Sequence, residues 1–127
     1  MILIDTPIWV DHLRKGNNLL SRLLEQNLVL THRFVIGELA CGSILNRHEI
    51  LQLLESLPCI GMARHAEVLQ LIEVEILYGQ GIGWIDAHLL ASARLADSFL
   101  YTSDKKLRLV AKSLGIAYEG SGSEGLC

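Results

Sequence analysis

Short apolar runs alternate with longer amphipathic stretches along the chain. Ile2–Ile4 is apolar and stops on Asp5, the pattern of a buried strand that meets polar chemistry at its end. Thr6 and Pro7 fit an N-cap and a first helical residue, so a helix is predicted to about Leu13, with Gly16 as its stop. Leu19, Leu20, Leu23 and Leu24 form one apolar face over Asn18–Gln26, and Leu28–Thr31 reads as a second strand. Helices are predicted over Phe34–Leu45 and over Arg47–Leu57, the latter ended by Pro58, with a short strand at Cys59–Ile60. A further helix is expected over Ala63–Tyr78, then a flexible loop at Gly79–Gly83, then a helix from about Asp86 to Ala96. Ser98–Thr102 reads as a strand, Lys105–Leu114 as a helix closed by Gly115, and Ile116–Tyr118 as a last strand.

Apolar strands separated by helices imply a parallel sheet covered on both faces. The expected fold class is α/β, a three-layer α/β/α sandwich with a short, mostly parallel central sheet. In such sheets ligands bind at the carboxyl ends of the strands. The 127-residue length fits one domain, expected over residues 1–119, with a Gly- and Ser-rich flexible tail at 120–127.

Composition adjusts this picture in three ways. Half of the residues are hydrophobic, and the mean hydropathy of +0.35 implies apolar surface that a partner covers. The longest charge-free stretch, Ile76–Ile85, holds three glycines and is too short to span a membrane, and the first residues lack the basic region of a signal peptide. Cys41, Cys59 and Cys127 are an odd set with no C-x-x-C pair, which points to a reducing cytoplasm, with Cys41 and Cys59 as small core residues. The net charge of −3 runs against nucleic-acid binding in bulk, so the distribution of charge has to carry that possibility.

Four acids stand out. Asp5 follows the first strand and Asp104 follows the Ser98–Thr102 strand, which puts both at the carboxyl edge. Glu38 has Phe34, Val35, Cys41 and Gly42 one turn away, a face expected to hold little water and no cation to pair with it. Asp86 follows the glycine-rich loop and Trp84-Ile85. Each has a plain alternative: Asp5 and Asp86 as helix caps, Asp104 in a turn before Lys105. Carboxylates gathered in one pocket raise one another's pKa, and a divalent cation relieves the conflict. All-oxygen donors favour Mg²⁺ or Mn²⁺ over Zn²⁺. The histidines His12, His32, His48, His65 and His88 are scattered and lack metal-site spacing; Trp9 and Trp84 read as core or interface aromatics.

Four segments in this order resemble PIN-domain ribonucleases, and within them the VapC-like toxins: Ile2-Leu3-Ile4-Asp5-Thr6; Val35-Ile36-Gly37-Glu38-Leu39 with Gly42; Gly81-Ile82-Gly83-Trp84-Ile85-Asp86-Ala87-His88-Leu89-Leu90-Ala91; and Leu100-Tyr101-Thr102-Ser103-Asp104-Lys105-Lys106-Leu107. The resemblance implies a divalent-metal-dependent endoribonuclease, the toxin of a toxin–antitoxin pair, hydrolysing RNA (transfer RNA is the family-based expectation) to a 5′-phosphate and a 3′-hydroxyl. It implies Asp5, Glu38 and Asp86 as primary ligands of Mg²⁺ or Mn²⁺, with Asp104 completing the set through water. Thr6 and Thr102 match hydroxyl positions that orient water or the acids. It also implies a homodimer and a cognate antitoxin bound across the helices of Asn18–Leu57, with an antitoxin arginine entering the acidic pocket. Pro7 departs from the serine that many relatives carry. Lys105, Lys106, Arg108 and Lys112 form a basic cluster beside Asp104, suited to phosphate contacts, against the alternative of a solvated helix face; Arg14, Lys15 and Arg33 are weaker candidates. Competing readings are an RNA-processing PIN nuclease with no antitoxin and a non-catalytic PIN-fold binding module. A phosphatase built on Asp5 is disfavoured because Pro7 stands where its second aspartate belongs.

Overall fold

The computed structural model describes residues 1–120. The expected tail therefore lies outside the described residues, except for Gly120. The elements run β1 (Ile2–Ile4), α1 (Thr6–Lys15), α2 (Asn18–Glu25), β2 (Val29–Leu30), α3 (Arg33–Cys41), α4 (Arg47–Ser56), α5 (His65–Val74), α6 (Trp84–Leu95), β3 (Phe99–Tyr101) and α7 (Lys105–Ser113). The strands form a parallel sheet in the order β2-β1-β3. Leu3 pairs with Leu30 on one side and Leu100 on the other. Single parallel bridges, Thr31 to Cys59 and Leu100 to Ala117, widen the sheet at both edges. The segments at Cys59–Ile60 and Ile116–Tyr118 are thus bridges, not full strands.

β1 is the hub. Its three residues are buried, because a central parallel strand covered on both faces has no polar side to show. The chain leaves β1 to one neighbour and later returns to the other, so the carboxyl ends of β1 and β3 flank the topological switch point, where open α/β sheets keep their crevice. α6 lies against β1, β3 and α5. All residues from Ala87 to Ala93 on it are buried, and the small Ala87 and Ala91 meet Ala63 and Val68 of the neighbouring segment. A helix this enclosed cannot show a clean polar stripe.

Helix ends differ from the sequence expectation for local reasons. α3 stops at Cys41, with Gly42 as its cap, instead of running to Leu45. α5 covers ten residues where Ala63–Tyr78 was expected. It ends in a Schellman motif: Ile76 takes φ +53° and Leu77 N donates to Ile72 O at 2.9 Å. The same device closes α2 with Asn27, α6 with Asp97 and α7 with Gly115, where Leu28, Ser98 and Ile116 donate back to Leu23, Ala93 and Ala111. Asn, Asp and Gly tolerate the left-handed region, whereas a β-branched residue there is strained. Cys41 and Cys59 are exposed, against their expected core placement, since the helix turns Cys41 outward and Cys59 sits on the sheet edge.

Ile76 is 57% exposed, so little burial is lost on replacing it. Ile76→Gly is expected to raise the unfolding free energy by about 1 kcal/mol, by relieving the left-handed strain. Urea denaturation checks this, and a loss of stability would contradict the assignment.

Candidate active site: an acidic cleft at the strand ends

Asp5 continues β1 by one residue: its N–H donates to Tyr101 O at 3.0 Å, and its side chain begins α1. Only 5% exposed, its carboxylate is held at both oxygens. Oδ1 accepts from Thr6 N at 2.8 Å and Oδ2 from Thr102 Oγ1 at 2.7 Å. Thr6 Oγ1 then donates to Glu38 Oε1 at 2.5 Å, reaching across from α1 to α3. Thr102 Oγ1 also accepts from Asp104 N at 3.1 Å. One chain of hydrogen bonds therefore connects Glu38, Thr6, Asp5, Thr102 and the backbone of Asp104.

Asp86 is the third residue of α6, and its Oδ2 accepts from Gly83 N at 3.1 Å. Asp104 caps α7 by accepting from Leu107 N at 3.0 Å. The capping role weighed for Asp5 is therefore real; Asp86 is not the N-cap of α6 but bonds it from the first turn, and Asp104, weighed as part of a turn, caps α7. Even so, Asp5, Glu38 and Asp86 line one open cleft of about 360 Å³, together with Thr6, Pro7, Val10 and Asp11. Asp104 does not line it; its backbone N–H donates to Thr102, which in turn donates to Asp5. Asp11 was missed by the sequence reading; it stands one turn after Pro7, and that spacing was the available signal.

The electrostatics follow from burial. Desolvation pushes the Asp5 carboxyl above its ordinary value, the Thr102 and Thr6 hydrogen bonds pull it back, and the charges of Asp86 and Glu38 push it up again. Among the described residues no three His, Cys, Asp or Glu side chains stand close enough, as oriented, to hold a metal ion. Glu38 and Asp86 are each turned onto a protein donor. The donor chemistry still fits a hard cation: the polar side chains lining the cleft offer only oxygen, and the charges acting on the buried Asp5 carboxylate are those of two other acids.

Two comparisons decide the family. The PIN-domain family model matches residues 2–113. The chain belongs to the PIN-domain family. It is 41% identical over 118 residues to Ribonuclease VapC32 of Mycobacterium tuberculosis, in both strain CDC 1551 / Oshkosh and strain ATCC 25618 / H37Rv, covering 92% of this chain and 95% of the relative. It is a VapC-like PIN ribonuclease by that relationship. A solved structure of FitAB bound to the IR36 DNA fragment superposes with a TM-score of 0.62 at 17% identity, over 88% of this chain and 91% of that one, which supports the fold.

Several expectations change within this PIN domain. Glu38 is exposed, because Val35 and Leu39 take the inward face of α3 and leave Glu38 at the cleft rim. Arg108 forms an exposed ion pair with Glu119 at 3.0 Å. Trp84 is 40% exposed at the start of α6, packed against His65 and His88, while Trp9 is buried. Three histidines do come together, His32, His65 and His88, around Phe34 and Trp84; His32 accepts from Phe34 N and contacts Ser92 Oγ, and burial with the nearby His88 lowers its pKa to about 4.

The raised pKa of Asp5 sets a sign. Its folded value lies above its unfolded value, so the ionised form costs stability at neutral pH, and the cost fades as pH falls through the folded pKa. In chelator at pH 7, Asp5→Asn is expected to melt above the native PIN domain, with the gap closing on acidification. A variant melting below the native chain at pH 7 would show that Asp5 carries no such penalty.

Proposed function

We propose that this chain is a Mg²⁺- or Mn²⁺-dependent endoribonuclease acting as the toxin of a toxin–antitoxin pair. The observation that carries the reading is the buried Asp5 carboxylate sharing one cleft with Glu38 and Asp86 at the switch point of a PIN fold. The ribonuclease name of the 41%-identical relative supports it.

Asp5, Glu38 and Asp86 would hold the cation, with Asp104 completing the set through water. When bound there, a divalent cation supplies charge neutralisation at the scissile phosphate and lowers the pKa of an attacking water. The chain's own contribution is orientation. Thr102 fixes the Asp5 carboxylate plane, and Thr6 keeps Glu38 swung toward the cleft. The exposed side of the cleft lets a phosphodiester approach Glu38 and Asp86, while the sheet seals the Asp5 side from water.

The antitoxin would cover apolar surface. A groove of about 290 Å³ between α1, α2 and α4 is lined by Trp9, Leu13, Leu24, Ile50 and Leu53, in the region expected to bind it. Exposed Cys41 and Cys59 thiols suit the proposed cytoplasmic setting, and no helix among the described residues is long and apolar enough to cross a membrane. A homodimer completes the proposed assembly. An RNA-processing role with no antitoxin is the second reading, separated by whether a short antitoxin gene precedes this one.

Asp5→Asn and Asp86→Asn are expected to reduce cation-dependent RNA cleavage to background while leaving the chain folded. Mg²⁺ at 100 times its Kd should stabilise the native chain by about 2.7 kcal/mol, and Asp5→Asn by much less. Retained cleavage in either variant would falsify the site, and equal Mg²⁺ stabilisation of both chains would remove Asp5 from it.

A further inference from the structure

Lys106, the second residue of α7, does not point freely into solvent. A Cβ built on Gly81 would lie 2.7 Å from Lys106 Cδ, 3.2 Å from Cε and 3.0 Å from Nζ, so the lysine's outer half is laid along the glycine backbone. Gly81 has φ +82°, a second reason for glycine at that point. The loop carrying Gly81 leads directly to Gly83, whose N–H donates to Asp86. The ammonium is therefore parked on the segment that delivers Asp86 to the cleft. Among the described residues Lys106 has no carboxylate partner, in contrast to Arg108, which is held by Glu119.

A cation held by packing and left without an anion has already given up much of its side-chain freedom, so a phosphate that meets it pays less for ordering. We propose that Lys106, seated across Gly81, is the residue that fixes an RNA phosphate at the Asp86 end of the cleft, and that Gly81 is a positioning residue whose missing side chain makes the seat. This rests on the ribonuclease reading and narrows the basic cluster on α7 to one member with a defined place. It also gives the glycine-rich loop a purpose beyond flexibility.

The two residues can be separated experimentally. Lys106→Met keeps the stem on Gly81 and removes only the charge. Gly81→Ala keeps the charge and pushes the stem away. With a fluorescent single-stranded oligoribonucleotide in Mg²⁺, both variants are expected to raise KM by roughly five-fold, with kcat changed little, as for loss of one charge-assisted phosphate contact. In Lys106→Met the slope of log affinity against log salt should become shallower by about 0.7, the share of one phosphate on a single strand. Arg108→Met should leave that slope unchanged. The double variant should be no worse than Lys106→Met alone, because the glycine acts through the lysine. A merely structural contact would move the melting temperature and not the salt slope. Native KM and slope in Lys106→Met overturn the proposal, and that variant decides the lysine's role even if Gly81→Ala does not fold. Additive effects of the pair overturn the role of Gly81. A native chain that cleaves no RNA overturns the ribonuclease reading itself, and this inference with it.

Discussion

A carboxylate at the end of a fully buried strand is the constraint from which the rest of this structure follows. β1 has to be apolar to sit between β2 and β3, and Asp5 is the next residue, so the charge enters the molecule at its most enclosed point. Burying it unsupported would cost several kcal/mol. The surrounding chain answers with donors, Thr6 N from the start of α1 and the Thr102 hydroxyl from the end of β3. Those two bonds also pin the helix and the strand that flank the cleft. Support and geometry are the same interactions, and this is why the hydrogen-bond chain extends outward to Glu38 and to the backbone of Asp104.

Much of this was legible in the sequence, for identifiable reasons. β1, β3 and Asp5 could be read because an apolar run interrupted by an acid has few other meanings in an α/β chain. The helices could be read from their periodicity. Glu38 was misjudged because its one-turn neighbours are apolar or small, while burial depends on which side of α3 meets the core; Val35 and Leu39 decided that. The length of α5 was misjudged because Ile76 is a helix-compatible apolar residue placed in a left-handed cap. Arg108 looked like its basic neighbours until the chain brought Glu119 to it. The Gly81–Lys106 contact arises from packing between elements, to which no local pattern corresponds.

The capping and functional readings of the acids had seemed to compete. In the folded chain they do not. Asp5 and Asp104 cap helices at positions just past strands, and Asp86 holds the first turn of α6, so helix N-termini are directed at the same carboxyl edge of the sheet. A helix N-terminus carries partial positive charge that steadies a nearby carboxylate. That effect allows acids to be gathered near one another before any cation arrives, at the expense of the unfavourable ionisation still visible at Asp5. The remaining imbalance is useful chemically: a site whose anions are positioned by caps but not neutralised by them keeps its affinity for added positive charge. The same logic explains how a chain of net charge −3 can accommodate a polyanion. Negative charge is concentrated in the cleft, and Lys106 is placed by shape on the loop that leads to Asp86 instead of being drawn off into an ion pair within the described chain.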